Sequence, residues 1–142
     1  MPDTFHLERF LEAQDRAGTY AAALEELRRG RKDSHWMWFV FPQVAGLGRS
    51  PTARYYAIGS LAEATAYLAH PVLGPRLREA AEAMLALPPG RSAEEVLGGV
   101  DAVKLRSSMT LFHRADPTAA VFSDVIDRFY GGEPDAATDA RL

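Results

Sequence analysis

The sequence predicts a mainly α-helical fold: one compact helical domain over residues 1–142 with a short extended aromatic segment from Trp36 to Phe41. Three observations predict it. Apolar residues recur at helical spacing along most of the chain. Two Ser-x-x-Glu patterns, Ser60-Leu61-Ala62-Glu63 and Ser92-Ala93-Glu94-Glu95, have the form of capping boxes that open helices. Gly and Pro clusters then punctuate the periodic stretches at lengths suited to short helices.

Taken in order, Leu7, Phe10, Leu11 and Gln14 form one helical stripe, and Tyr20, Ala23, Leu24 and Leu27 form a second after Gly18-Thr19. Arg28 and Arg29 followed by Gly30 suit the end of that second helix, so the chain opens as a helical hairpin. Ser34 to Pro42 is aromatic and apolar without helical period, which favours extended structure. Trp36, Trp38 and Val40 then point to one side, and Met37, Phe39 and Phe41 to the other. Gln43 to Pro51 is a glycine-rich loop, and Ala53 to Ile58 either pairs with the aromatic segment or begins a helix.

From Ser60 the helices are firmer. Leu61, Ala64 and Leu68 form a stripe that His70-Pro71 stops, and Gly74-Pro75 opens a helix whose buried face is Leu77, Ala81, Met84 and Leu85. A short helix from Ser92 ends at Gly98-Gly99, and Val100 to His113 follows. Asp116-Pro117 caps a last strong helix with the stripe Val121, Phe122, Val125, Ile126 and Phe129. Residues 133–142 form a short polar tail expected to frame one turn or fray.

Composition excludes several classes. With no cysteine among 142 residues there is no disulfide framework, thiolate metal site or cysteine nucleophile. No run approaches 18 apolar residues, and the first residues lack the pattern of a signal peptide, so no membrane partner and a cytoplasmic location are expected. A net charge of -3 disfavours nucleic acid, which calls for a basic face. The four histidines, His6, His35, His70 and His113, have no metal-ligand spacing, so no metal and no cofactor are expected. No G-x-S-x-G elbow is present.

Two segments carry chemistry. In a helix, Asp101, Lys104 and Ser108 fall at i, i+3 and i+7 on one face, beside the apolar stripe Leu105, Met109 and Phe112. Only two of the sixteen cations are lysines, Lys32 and Lys104, so a lysine in this seam stands out. Unlike arginine, lysine can lose its proton and act as a base or nucleophile. The plainer alternative is a surface ion pair between Asp101 and Lys104. The second segment places His35, Trp38 and Phe41 next to Gln43, with Tyr56 shortly after; these flat rings suit a planar ligand, or else a hydrophobic core. A functional site is expected where the two segments meet: Asp101 and Lys104 as catalytic residues, and His35, Trp38, Phe41, Gln43, Tyr56 and Ser108 as ligand-binding ones. Gly46-Leu47-Gly48-Arg49-Ser50 lacks the spacing of a phosphate-binding loop.

The chain resembles the bacterial family called domain of unknown function 1810. The likeness runs through His35-Trp36-Met37-Trp38-Phe39-Val40-Phe41-Pro42-Gln43, Gly46-Leu47-Gly48, His70-Pro71-Val72-Leu73-Gly74, Asp101, Lys104-Leu105, Ser107-Ser108, Thr110-Leu111-Phe112, Gly131-Gly132, Asp135 and Thr138. It implies a compact, mostly helical domain without assigning a reaction. Ser50 to Tyr56 is also similar to the segment preceding a long helix in the NADAR superfamily of N-glycosidases, which act on ADP-ribose-type substrates. That resemblance implies acidic and lysine side chains in the chemistry, with Asp101 and Lys104 as the nearest candidates. The expected function is a nucleotide or ADP-ribose-type N-glycosidase or hydrolase with a nucleotide-like small molecule as partner. Its alternatives are a noncatalytic small-ligand or protein-binding domain and a helical interaction protein.

Overall fold

The computed structural model describes residues 3–142. Helices α1 (Glu8–Asp15) and α2 (Thr19–Arg29) pack on one another across a 3-10 turn, Arg16–Gly18. Positive φ at Ala17 (51°) and Gly18 (68°) breaks the helix there. Gly30 closes α2 in the left-handed region, after Arg28 and Arg29 in the last turn.

The aromatic segment is helical where it was expected to be extended. Met37–Val40 forms a single turn, α3, and Trp36, Met37, Val40 and Phe41 are all buried. Four residues are too few to display a helical period, and the surrounding core, rather than strand propensity, decides their conformation. The extended pairing lies just downstream, as an isolated parallel bridge between Val44 and Ile58. The Ile58 N–H donates to the Gln43 carbonyl at 2.9 Å, and the Ala45 N–H to the Ile58 carbonyl at 2.8 Å. Among the described residues there is no strand. Between the bridge partners, α4 (Pro51–Tyr55) begins on the Ser50 hydroxyl, which accepts the Ala53 N–H.

Helix α5 (Leu61–Ala69) starts on half of the expected capping box. The Ser60 hydroxyl accepts the Glu63 N–H, but the Glu63 carboxylate turns to the Gly59 N–H at 2.9 Å and the Arg9 guanidinium at 2.7 Å. Arg9, itself buried, also donates to the carbonyls of Phe5, His6, Tyr55 and Ala57, tying the N-terminus to the end of α4. α6 (Leu73–Leu85) begins two residues before Pro75, with the Val72 and Leu73 N–H groups on His70 Nδ1. α7 (Ala93–Leu97) opens on a complete box between Ser92 and Glu95.

α8 (Gly99–Ala115) is the hub, packing against α5 and α7 and against the two helices that follow, α9 (Ala120–Tyr130) and α10 (Ala136–Asp139). α9 starts at Ala119 without a side-chain cap, because Asp116 is occupied instead by the Thr118 N–H and hydroxyl. Its Phe122, Val125 and Ile126 are buried, while Phe129 is only half-buried, as is Leu85 of α6, and Leu61 of α5 is exposed. The tail frames one short helix, α10. Asp135 caps α10, Thr138 is fully buried, the Thr110 hydroxyl accepts the Asp135 N–H, and Arg114 grips Asp139 through two bonds of 2.8 and 3.0 Å. No helix among the described residues is long and apolar enough to cross a membrane.

Candidate functional site

The first turn of α8 carries Val100 and Asp101, and the next turn Val103 and Lys104. Val100 and Val103 are 73% and 62% exposed, unusual for two branched aliphatic side chains on one helix face. They form one wall of a cavity of about 420 Å³. Gln43, Leu47 and Gly48 of the loop also line it, together with Ser107 of α8, Asp135 and Ala137 of α10. That volume falls in the lower part of the range for small-molecule sites.

Its polar groups are few and placed by their surroundings. Lys104 lines the cavity, with its Nζ 3.6 Å from Asp101 Oδ1 and 5.0 Å above the Trp38 ring. The ion pair and the ring face hold the ammonium from two sides. The Ser107 hydroxyl donates to Asp135 Oδ2, which also accepts the Thr138 N–H and hydroxyl. One oxygen of Asp135 is therefore committed to capping α10. Gln43 is fixed through its backbone at the bridge to Ile58, and its side-chain amide makes no hydrogen bond among the described residues.

Asp101 stands behind Lys104 and does not line the cavity. Its Oδ2 forms an ion pair with Lys32 Nζ at 3.0 Å, so the two lysines of the chain converge on one carboxylate. Lys32 in turn lies 5.0 Å over the ring of Trp36, the other tryptophan.

The remaining expected residues scatter. Trp38 and Tyr56 border a second recess with Gln43, but its volume of about 10 Å³ admits roughly one water. Lys104 lies over the Trp38 ring, and Tyr56 packs against the rings of Phe10, Phe39 and Tyr55. Phe41 and Ser108 are fully buried, and the Ser108 hydroxyl has no hydrogen-bond partner among the described residues. His35 is exposed and lines neither cavity. The structure thus brings Asp101, Lys104, Trp38 and Gln43 together, with Tyr56 at the margin, and leaves Phe41, Ser108 and His35 away from the cavity.

Sequence reasoning missed Lys32, Ser107, Asp135 and the two exposed valines as wall or support. Lys32 had a signal in the scarcity of lysine. Asp135 had one in its Asp-x-x-Thr spacing to Thr138, which suits an N-cap. Among the described residues no group of three His, Asp or Glu side chains could hold a metal ion.

The crystal structure of the conserved hypothetical protein Rv1873 from Mycobacterium tuberculosis has the same fold, with a TM-score of 0.95 and 51% sequence identity. The match covers 99% of this chain and 98% of that one. No curated protein matches the chain. Residues 4–142 match the family described as Protein of unknown function (DUF1810), and the chain belongs to that family.

Proposed function

We propose that the chain binds a small anionic ligand of nucleotide type in the cavity between the start of α8 and the 43–48 loop. One observation carries this reading: an ammonium, Lys104, is held by Asp101 and Trp38 on the wall of a cavity that is otherwise largely apolar. Charge fixed at one end with apolar surface beside it is what orients a ligand that joins an anionic group to a flat ring system. Leu47, Val100 and Val103 offer the surface for the ring, and the Gln43 amide offers one donor pair and one acceptor for its edge. Base stacking on Trp38 is not part of this reading, since Trp38 does not line the cavity. A cytoplasmic location belongs to the proposal.

Hydrolysis of the ligand's N-glycosidic bond is the second reading. It is favoured by Asp101, one contact behind Lys104, which would stabilise positive charge developing on a sugar, and by Lys104, placed to protonate a leaving group. The two readings separate in one set of measurements. Nucleotides and ADP-ribose derivatives are titrated against the protein by calorimetry, and release of base or ribose is followed by chromatography. Binding predicts saturation in the wild type, at least about a tenfold weaker Kd in Lys104→Met, and near-normal affinity in Lys104→Arg, because the charge is kept. Turnover that disappears in a folded Lys104→Arg protein assigns a catalytic amine. Unchanged affinity in Lys104→Met refutes the anion-binding reading, and full turnover in a folded Lys104→Arg protein refutes the hydrolytic one.

A further inference from the structure

Lys32 lies outside the cavity, yet its surroundings bear directly on the charge the cavity presents. Its Nζ pairs with Asp101 Oδ2 at 3.0 Å and donates a hydrogen bond to the Ser34 carbonyl at 2.6 Å, and it rests 5.0 Å over the Trp36 ring. The side chain is only 8% exposed, so salt and water screen these interactions weakly. Each partner is anchored in turn. Trp36 is fully buried and its Nε1–H donates to Glu26 at 3.0 Å, while the Ser34 N–H donates to the same Glu26 oxygen at 2.9 Å. Asp101 is fixed by the first turn of α8.

Lys104 is held more loosely. It reaches the other oxygen of Asp101 at 3.6 Å, beyond a good hydrogen bond, and its Nζ donates to no acceptor among the described residues. One carboxylate therefore faces two ammonium groups, and the nearer and better buried of them takes the stronger share of it. The trio carries a net charge of one positive unit, and its member on the cavity wall is Lys104, while Asp135, the carboxylate of that wall, turns its Oδ2 to Ser107 and Thr138. The arginines on the same helix do not compete for this role, because Arg106 pairs with Glu133 and Arg114 with Asp139.

We infer that Lys32 is a positioning residue of this site: by occupying Asp101 it leaves the Lys104 ammonium uncompensated toward the cavity and selects a ligand bearing a phosphate-like anion, a nucleoside monophosphate over the uncharged nucleoside. This rests on the anion-binding reading of the cavity. Without Lys32, Asp101 and Lys104 form an isolated neutral pair, Lys104 turns to the carboxylate, and the attraction for an anion falls while the apolar wall is untouched.

The test uses the full chain labelled with lysine carrying carbon-13 at Cε. Two lysines give two side-chain signals, and Lys104→Arg assigns them by deletion. In the ligand-free protein Lys32→Met is expected to shift the Lys104 signal, and an unmoved signal overturns the positioning role. Adenosine monophosphate and adenosine serve as charged and neutral probes. The expected result is about a tenfold weaker Kd for the monophosphate in Lys32→Met, no change for adenosine, and recovery of most of the loss in Lys32→Arg. Equal losses for both probes, or none for the monophosphate, overturn the inference. Asp101→Asn provides an independent arm should Lys32→Met fold poorly: with the counter-charge removed, the monophosphate is expected to bind several-fold more tightly and adenosine unchanged, and any other ordering counts against the inference. Failure of the anion-binding reading is recognised separately, as a wild-type protein in which the monophosphate binds no better than adenosine.

Discussion

Glu26 organises the segment that carries both Lys32 and Trp36. Its carboxylate accepts the Asp33 N–H at 2.7 Å, the Ser34 N–H, the Ser34 hydroxyl and the Trp36 Nε1–H. Burial alone would push this carboxyl up, but the bonds it accepts, those from Ser34 foremost, overturn that effect and lower it from 4.5 to about 2. Because the folded value is the lower one, the stabilisation is complete above the unfolded value and fades as pH falls from about 4.5 toward 2. In Glu26→Gln, urea midpoints measured at pH 7 and pH 3 should therefore lie closer together than in the wild type; parallel pH profiles would show that the carboxylate carries no such linkage. None of this is legible locally, since Glu26 sits in a Glu-Glu pair on an amphipathic helix and its partners follow in an irregular loop. Lys104 was legible because lysine is rare in this chain and its carboxylate is three residues away. Lys32 was not assigned to the site because its partner Asp101 is remote in sequence and only the fold joins them.

Helix boundaries follow local chemistry closely where caps and breakers set them, as at Ser60, Ser92 and Gly30. They depart from it where packing supplies the reason. α3 is one turn inside the core, and α10 is held by Thr138 and Asp139 against α8, contacts that a polar tail does not announce. Gly74 shows how an element's sequence can encode a neighbour. A Cβ at this position would clash with the Leu68 carbonyl oxygen of α5, so α6 meets the backbone of α5 there without room for a side chain. Helix propensity alone makes Gly→Ala favourable by about 1 kcal/mol, whereas overpacking costs up to about 3 kcal/mol and occasionally more. The clash is the larger effect, and Gly74→Ala is expected to lower the denaturation midpoint. Gly99, whose Cβ would meet nothing within 4 Å, serves as the control: Gly99→Ala should leave the midpoint unchanged or raise it slightly. A midpoint raised by both substitutions would refute the close approach of α5 and α6.

Across the whole molecule the helices are joined by a run of aromatic contacts. Phe122 of α9 lies 5.9 Å from Phe112 of α8, Phe112 5.3 Å from Tyr67 of α5, and Tyr67 5.1 Å from Phe10 of α1. Phe10 then meets Tyr56, and Tyr56 meets Phe39 of α3, next to the tryptophans of the candidate site. The stripe containing Phe122 was readable from its period, but this sequence of ring contacts was not, because each ring comes from a different element and helical periodicity is silent about partners. If the run is one continuous core, the chain unfolds as a single cooperative unit, and damage at α9 must be felt at Trp36 and Trp38. Phe122 is fully buried, so Phe122→Ala removes its burial and leaves a cavity, an expected loss of about 3 to 5 kcal/mol. The measurement is urea unfolding of wild type and variant followed at once by helical circular dichroism and by fluorescence of the two tryptophans. Coincident transitions that shift together to lower urea are expected. If the circular dichroism transition moves while the tryptophan transition stays in place, the region around α9 unfolds apart from the α1–α3 region, and the single-domain reading of the chain is rejected.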